Sequence, residues 1–160
     1  MTQTKGFWIT SDETFSAGTE YFIGVSFSVT NNHYYVFRNG VIIEEGTLSD
    51  ESRDAITGDL NIGRDNRDYR YWDGKIWDVR IYQNKALSVD EMRIIYYSRG
   101  NDNIVDGLVG RWLMDEKPDG TATSGANSVI DISGNGNHGT PYNSPVYRSA
   151  PVRLTNPQFN

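Results

Sequence analysis

The tightest constraint on the fold is a stretch in which apolar side chains recur at every second residue. From residue 21 to 29, Tyr, Ile, Val, Phe and Val alternate with Phe, Gly, Ser and Ser. A period of two is typical of a β-strand. Asn39-Gly40 then separates two further apolar runs and suits a two-residue type I′ turn, because both of its residues tolerate positive φ. We therefore predict one strand followed by a β-hairpin.

The remaining elements are also mostly extended. Strands are predicted over 59–63, 72–82 and 107–114, separated by polar or glycine-rich loops. One helix is predicted around residues 88–98, because Ser88 and Glu91 have the spacing of a capping box. The expected fold class is all-β, an antiparallel β-sandwich with one short helix.

Composition restricts the function. The chain has 160 residues, 12% of them aromatic, and no cysteine, so a Cys-based zinc site and a thiol nucleophile are excluded. Its net charge of −6 argues against a nucleic-acid partner, which requires basic clustering. No stretch is long and apolar enough for membrane insertion, and the polar residues Met1 to Gly6 predict no secretory signal.

Two segments together resemble the laminin-G-like, concanavalin A-like jelly-roll domains. The first comprises residues 34–40, 60–63, 74–82 and 86–88 together with Glu91, and is similar to the C-terminal half of that family. The second joins the strand GLVGRWLMD, which starts at Gly107, to the loop DISGNGNHGT, which starts at Asp131, and is similar to the N-terminal half. The resemblance implies a jelly-roll sandwich.

The two halves stand in reversed order. Residues 1–100 resemble the C-terminal half and residues 107–150 the N-terminal half, joined by the polar linker 101–106. We predict one permuted domain over 1–150, or a domain cut out of phase from a tandem array, with an extended tail at 151–160. Gly6 to Thr10 match a further family strand poorly, so a neighbouring chain is expected to cover a sheet edge.

A structural calcium ion is implied by the resemblance, with Asp78, Asp131 and Asn135 as contributors. Loops supply the six to eight oxygen ligands that Ca²⁺ prefers. The alternative is a loop held only by Asx turns and asparagine side chains.

A weak glycan site is predicted in the polar loop that contains Asn66, Tyr69, Tyr71 and Trp72. Aromatic rings stack on the apolar face of a sugar, while carboxamides bond its hydroxyls. The simpler interpretation is that the aromatic side chains pack against the rest of the protein, and the sequence favours it.

Catalysis is not expected. Jelly-roll glycosidases use paired carboxylates on one strand face, and no E-x-D-x-x-E run occurs here. Glu44 and Glu45 are adjacent on a strand and so point to opposite faces. A glycoside hydrolase is thus the least favoured function.

These observations predict a non-catalytic module that presents a surface. The leading expectation is a virion-associated protein, such as a phage capsid decoration or tail component, that forms homo-oligomers or docks on neighbouring subunits. The alternative is a secreted, calcium-dependent, lectin-like module that binds cell-surface glycans. The expected location is the virion or the extracellular surface.

Overall fold

The computed structural model describes residues 14–47, 59–64 and 70–150. The described elements are, in chain order, β1 (Ile23–Ser28), β2 (His33–Arg38), β3 (Val41–Thr47), β4 (Val79–Tyr82), α1 (Val89–Ser98) and β5 (Leu108–Trp112). Antiparallel strands with one short helix confirm the predicted all-β class. The chain divides into two compact units, one with β1, β2, β3 and most of α1, the other with β4 and β5.

The first unit is built on a three-stranded antiparallel sheet in the order β1-β2-β3. Asn39 and Gly40 join β2 to β3 with φ values of 52° and 76°, which confirms the predicted turn with two positive φ angles. The Asn39 side chain also accepts a hydrogen bond from the Phe22 amide at 2.9 Å. The turn residue therefore anchors the chain that enters β1.

Helix α1 covers one face of this sheet. Its capping box is confirmed, because the Ser88 amide donates to the Glu91 carboxylate at 2.7 Å and the Glu91 amide donates to the Ser88 hydroxyl at 3.2 Å. Met92 of the helix lies against β1 at Gly24, where an added Cβ would come within 2.8 Å of the Met92 methyl group. A glycine at this position therefore lets the helix approach the sheet closely.

The opposite sheet face carries exposed apolar side chains. Side chains of β1 alternate between faces, so Ile23, Val25 and Phe27 lie opposite the helix-covered Gly24, and all three are exposed. The register aligns Ile23 with Arg38 and Arg38 with Val41, so exposed Val41 lies on the same side. We call Ile23, Val25, Phe27 and Val41 the apolar face.

The second unit holds β4 and β5, which pair antiparallel with Arg80 opposite Arg111. The strand predicted over 72–82 begins only at Val79, because Asp78 has a φ of 47° that interrupts an extended chain. The strand predicted over 59–63 is also wrong, since those residues form bends and loop.

The last described residues are more firmly held than a surface tail. The Tyr147 amide donates to Thr121 and its carbonyl accepts from Gly120, both at 2.8 Å, and the Tyr147 side chain is buried. The predicted tail at 151–160 lies outside the described residues. No helix within the described ranges is long and apolar enough to cross a membrane.

Candidate functional site

A cluster of charged side chains lies beside the β4–β5 pair. We call Asp78, Arg80, Asp102 and Arg111 the charge cluster. Arg111 donates to both carboxylate oxygens of Asp78, at 2.7 and 3.0 Å, which is a bidentate ion pair. Arg80 also donates to both Asp78 oxygens, at 3.2 and 3.0 Å. One carboxylate therefore lies between two guanidinium groups.

The second carboxylate completes the cluster from the segment after α1. Asp102 accepts from the Arg80 guanidinium at 2.8 Å, from the Ser98 hydroxyl at 3.0 Å and from the Ile104 amide at 3.1 Å. The side chains of Arg80 and Asp102 are both buried. Two positive and two negative groups balance, which is the arrangement that keeps buried charges tolerable.

The charge cluster holds its acids ionised. Burial acts to raise the pKa of Asp78, but the hydrogen bonds from Arg80 and Arg111 outweigh it and lower that pKa. Burial also opposes the shift at Asp102, where Arg80 and the Ile104 amide lower the pKa. Neither acid is available as a proton donor near neutral pH, so the cluster is suited to structure and not to acid catalysis.

Asp131 organises the glycine-rich loop that follows it. Its side chain accepts four hydrogen bonds, from the amides of Arg111, Ser133 and Asn137 and from the Ser133 hydroxyl, at 2.8 to 2.9 Å. The residue is only 5% exposed. Burial acts to raise its pKa, but these donors lower it to about 2.

The same loop is bound to β5 by asparagine side chains. Asn135 donates its amide to the Leu108 carbonyl at 3.0 Å, and Asn137 donates to the Val109 carbonyl at 2.7 Å. The Trp112 indole donates to the Asn137 carbonyl at 2.8 Å. These contacts are the ones expected from the alternative to a calcium site, in which the loop is held only by its own polar side chains.

The predicted calcium ligands do not fit an ion that they share. Two guanidinium groups occupy the Asp78 carboxylate, and protein donors use both oxygens of Asp131. Asn135 points its donor group at a carbonyl and at the Ser133 hydroxyl. Within residues 14–47, 59–64 and 70–150, no three His, Asp or Glu side chains form a group that could hold a metal. Calcium stays a prediction.

The predicted glycan residues are only partly described. Asn66 and Tyr69 lie outside the described residues, whereas Tyr71 and Trp72 are both exposed. The Trp72 amide donates to the Gly63 carbonyl at 2.8 Å, and its indole lies over Gly74, where a Cβ would come within 2.7 Å of Nε1. The main chain of Trp72 is therefore anchored, and its indole lies exposed beside Gly74.

Sequence reasoning missed an arginine–tyrosine stack in this unit. The Arg64 guanidinium lies 4.2 Å from the centre of the exposed Tyr142 ring, a cation–π contact. Sequence reasoning also missed the partners of Asp78. The signal that could have identified them is the pairing of β4 with β5, which sets Arg80 opposite Arg111. Two positive charges placed opposite each other are unfavourable unless acidic side chains lie nearby.

Comparison with known proteins decides the family. A laminin G family model, described as the concanavalin A-like lectin/glucanases superfamily, matches residues 1–93. The chain belongs to this superfamily. The match covers the segment predicted to resemble the C-terminal half, and the permuted order of the two halves stays a prediction.

One solved structure is similar in part. It is the 2.1 Å crystal structure of residues 221–444 of an S-layer domain-containing protein from Clostridium thermocellum, with 26% sequence identity and a TM-score of 0.37. The match covers 55% of this chain and 44% of that one, so the chain spans less than half of its length. No curated protein sequence matches significantly.

Proposed function

We propose that this superfamily member is a non-catalytic module that docks on neighbouring protein subunits through its apolar face. The observation that carries the proposal is the row of exposed Ile23, Val25 and Phe27 on β1, continued by Val41 on β3. Grouped apolar side chains at a surface mark interaction sites, whereas scattered ones do not.

The energy available at this surface is sufficient for docking. Full burial of one such side chain is favourable by roughly 1.5–3 kcal/mol, so covering the exposed part of each contributes on the order of 1 kcal/mol. The other sheet face has no comparable capacity, because Met92 and Leu87 of the first unit are already buried against it. One face is therefore internal and the other is suited to a partner.

The assembly that we propose is a virus particle, with the protein as a capsid decoration or tail component. A chain without cysteine folds without disulfides and so needs no oxidising compartment before it is incorporated. Mass spectrometry of purified particles from the source should detect this chain at a fixed ratio to the major particle proteins. Detection only in the particle-free fraction would contradict the virion role.

The Val41→Glu substitution should abolish co-sedimentation with that assembly. A carboxylate at this position must be desolvated when the apolar face is covered, whereas in the isolated protein it lies beside Arg38. Val105→Glu is the matched control, since Val105 is 62% exposed and Val41 is 60% exposed. If both variants co-sediment with the assembly to the same extent as the wild-type protein does, docking through this face is excluded.

The absence of catalysis is supported by the state of the acids. A glycosidase pair needs one carboxylic acid with a raised pKa and one carboxylate. The pKa values of Asp78, Asp102 and Asp131 are all lowered, and each accepts hydrogen bonds from several protein donors. These three acids are held as hydrogen-bond acceptors, so none of them is suited to be the acid of such a pair.

Glycan binding is the second candidate, favoured by the exposed indole of Trp72. If it is correct, Trp72→Ala should reduce binding on a glycan array at least tenfold, because ring stacking is the main apolar contact to a sugar. Tyr97→Ala is the control, as Tyr97 is 70% exposed and Trp72 is 64% exposed. An array with no bound glycan would rule out this candidate.

A further inference from the structure

The dipeptide Asn-Gly occurs twice in the chain, as Asn39-Gly40 and as Asn135-Gly136. It is chemically labile, because glycine has no side chain to hinder its own nitrogen from approaching the asparagine side chain. That nitrogen bonds to Cγ of the asparagine, ammonia leaves with the amide proton, and a succinimide ring closes. Water then opens the ring to aspartate or isoaspartate. The surroundings of each dipeptide therefore decide how readily it reacts.

The surroundings of Asn39-Gly40 oppose ring closure. Gly40 is buried, and an added Cβ there would come within 2.8 Å of the Tyr96 ring. The Asn39 side chain accepts from the Phe22 amide at 2.9 Å, and the Asn39 amide donates to the Phe22 carbonyl at 3.0 Å. Strands β2 and β3 pair directly beyond the turn. Ring closure would disturb these contacts together, so the hairpin turn is protected.

Asn135-Gly136 lies in open surroundings. Both residues are exposed, and an added Cβ at Gly136 would meet no heavy atom within 4 Å apart from its chain neighbours. Gly134 is equally unobstructed and has a φ of 92°. Glycine on both sides lets the main chain around Asn135 rearrange without displacing other side chains. Ring closure therefore meets less resistance here than in the hairpin turn.

The side chain of Asn135 has a role that its acidic product cannot fill. Its Nδ2 donates to the Leu108 carbonyl at 3.0 Å and to the Ser133 hydroxyl at 3.1 Å. A carboxylate has no proton to donate, so an oxygen would face the Leu108 carbonyl oxygen across this contact. The Ser133 hydroxyl also donates to Asp131 at 2.9 Å, so the new charge would lie close to an existing carboxylate. Both effects weaken the attachment of the loop to β5.

We propose that Asn135 is a site of spontaneous deamidation, and that its conversion is a slow, one-way switch that loosens the glycine-rich loop from β5. The reaction consumes water, releases ammonia and needs no enzyme. The Gly136 nitrogen attacks after it loses its proton, so the rate rises with pH. Asn137 and Asp131 still hold the loop after conversion, which confines the change to the residues around Asn135. This inference does not depend on docking through the apolar face.

Peptide mapping by mass spectrometry tests the site. The wild-type protein is incubated in mildly alkaline buffer, and the peptides that contain Asn39 and Asn135 are followed for conversion of amide to acid and for isoaspartate. Asn135 should convert at least about tenfold faster than Asn39, a barrier lower by about 1.4 kcal/mol. In urea the two rates should converge, because the difference comes from the fold. Equal rates in the folded protein, no conversion of Asn135, or a tenfold difference that persists in urea overturns the proposal.

The Asn135→Asp variant tests the consequence of conversion separately. Loss of the hydrogen bond to Leu108 should lower its melting temperature by about 2–4 °C relative to the wild-type protein. Asn39→Asp is the matched control, because aspartate keeps the oxygen that accepts from the Phe22 amide, and it should melt as the wild-type protein does. An Asn135→Asp variant that melts at the wild-type temperature would reject the switch, even if Asn135 deamidates first.

Discussion

The Asp78→Asn variant is expected to lose about 3 kcal/mol of unfolding free energy, because it leaves two guanidinium groups without their shared counter-charge. Arg80 and Arg111 both donate to the two oxygens of Asp78, and Arg80 is buried. Asparagine is the appropriate replacement because residue 78 has a φ of 47°, a conformation that Asn tolerates as Asp does. The loss therefore reports charge and not backbone strain.

Urea denaturation of this variant should be compared with that of Asp106→Asn. Asp106 is an exposed acid that lies 3.5 Å from the Lys85 amine, and exposed pairs contribute less than about 1 kcal/mol. Equal losses in the two variants would show that the charge cluster contributes no more than an ordinary surface ion pair.

The Asp131→Asn variant should have the second large effect, a loss of roughly 3 kcal/mol, since hydrogen bonds to a charged acceptor contribute about 1.5–3 kcal/mol each and an unmatched donor adds a penalty. The four donors to Asp131 come from three residues that close the loop on β5. The amide group of asparagine can accept from only one side. The loop should therefore loosen along with the global loss of stability.

The contribution of Asp131 should depend on pH in a defined direction. Its pKa falls from 3.8 to about 2 on folding, so its stabilisation is fully present above about pH 4 and is lost as the pH falls towards 2. A shift of this size corresponds to roughly 2 kcal/mol. Asp78 and Asp102 are shifted in the same direction and add to the acid sensitivity.

Thermal melts of the wild-type protein and Asp131→Asn between pH 2 and pH 7 would measure this effect. The difference between them should shrink as the pH falls, and a constant difference would contradict the assignment. Asp106→Asn is the control, because Asp106 is an exposed acid outside the loop and lies 3.5 Å from the Lys85 amine. Calcium added to chelated protein tests the predicted ion: an increase in the melting temperature would support it, and an unchanged melting temperature would contradict it.

Sequence reasoning succeeded where the determinants are local. The turn at Asn39-Gly40 and the cap formed by Ser88 and Glu91 depend on residues at most three positions apart, and both are present. Strand β1 follows from the alternation of apolar residues, and β2 and β3 follow from the two apolar runs on either side of the turn.

The charge cluster and the start of β4 depend on contacts that periodicity does not encode. Asp78 accepts a hydrogen bond from Arg111, which lies 33 residues further along the chain. The positive φ of Asp78 also makes β4 begin after it, whereas the alternation of the sequence predicts a strand that begins at Trp72. The sequence pattern also did not predict that the apolar face is exposed. The alternation around Val25 predicts a strand with one apolar and one small or polar face, and an apolar face is normally the buried one. In the structure, α1 packs instead on the face that carries Gly24 and Ser26, and the apolar face is exposed.

The most direct test of docking through the apolar face measures whether that face is covered in the assembled state. The natural chain has no cysteine, so Val41→Cys and Val105→Cys each introduce a single thiol that reacts with maleimide. Val41→Cys should label at least tenfold more slowly in the assembly than in the isolated subunit, while Val105→Cys labels at similar rates in both. Equal labelling of Val41→Cys in the two states would contradict docking through this face.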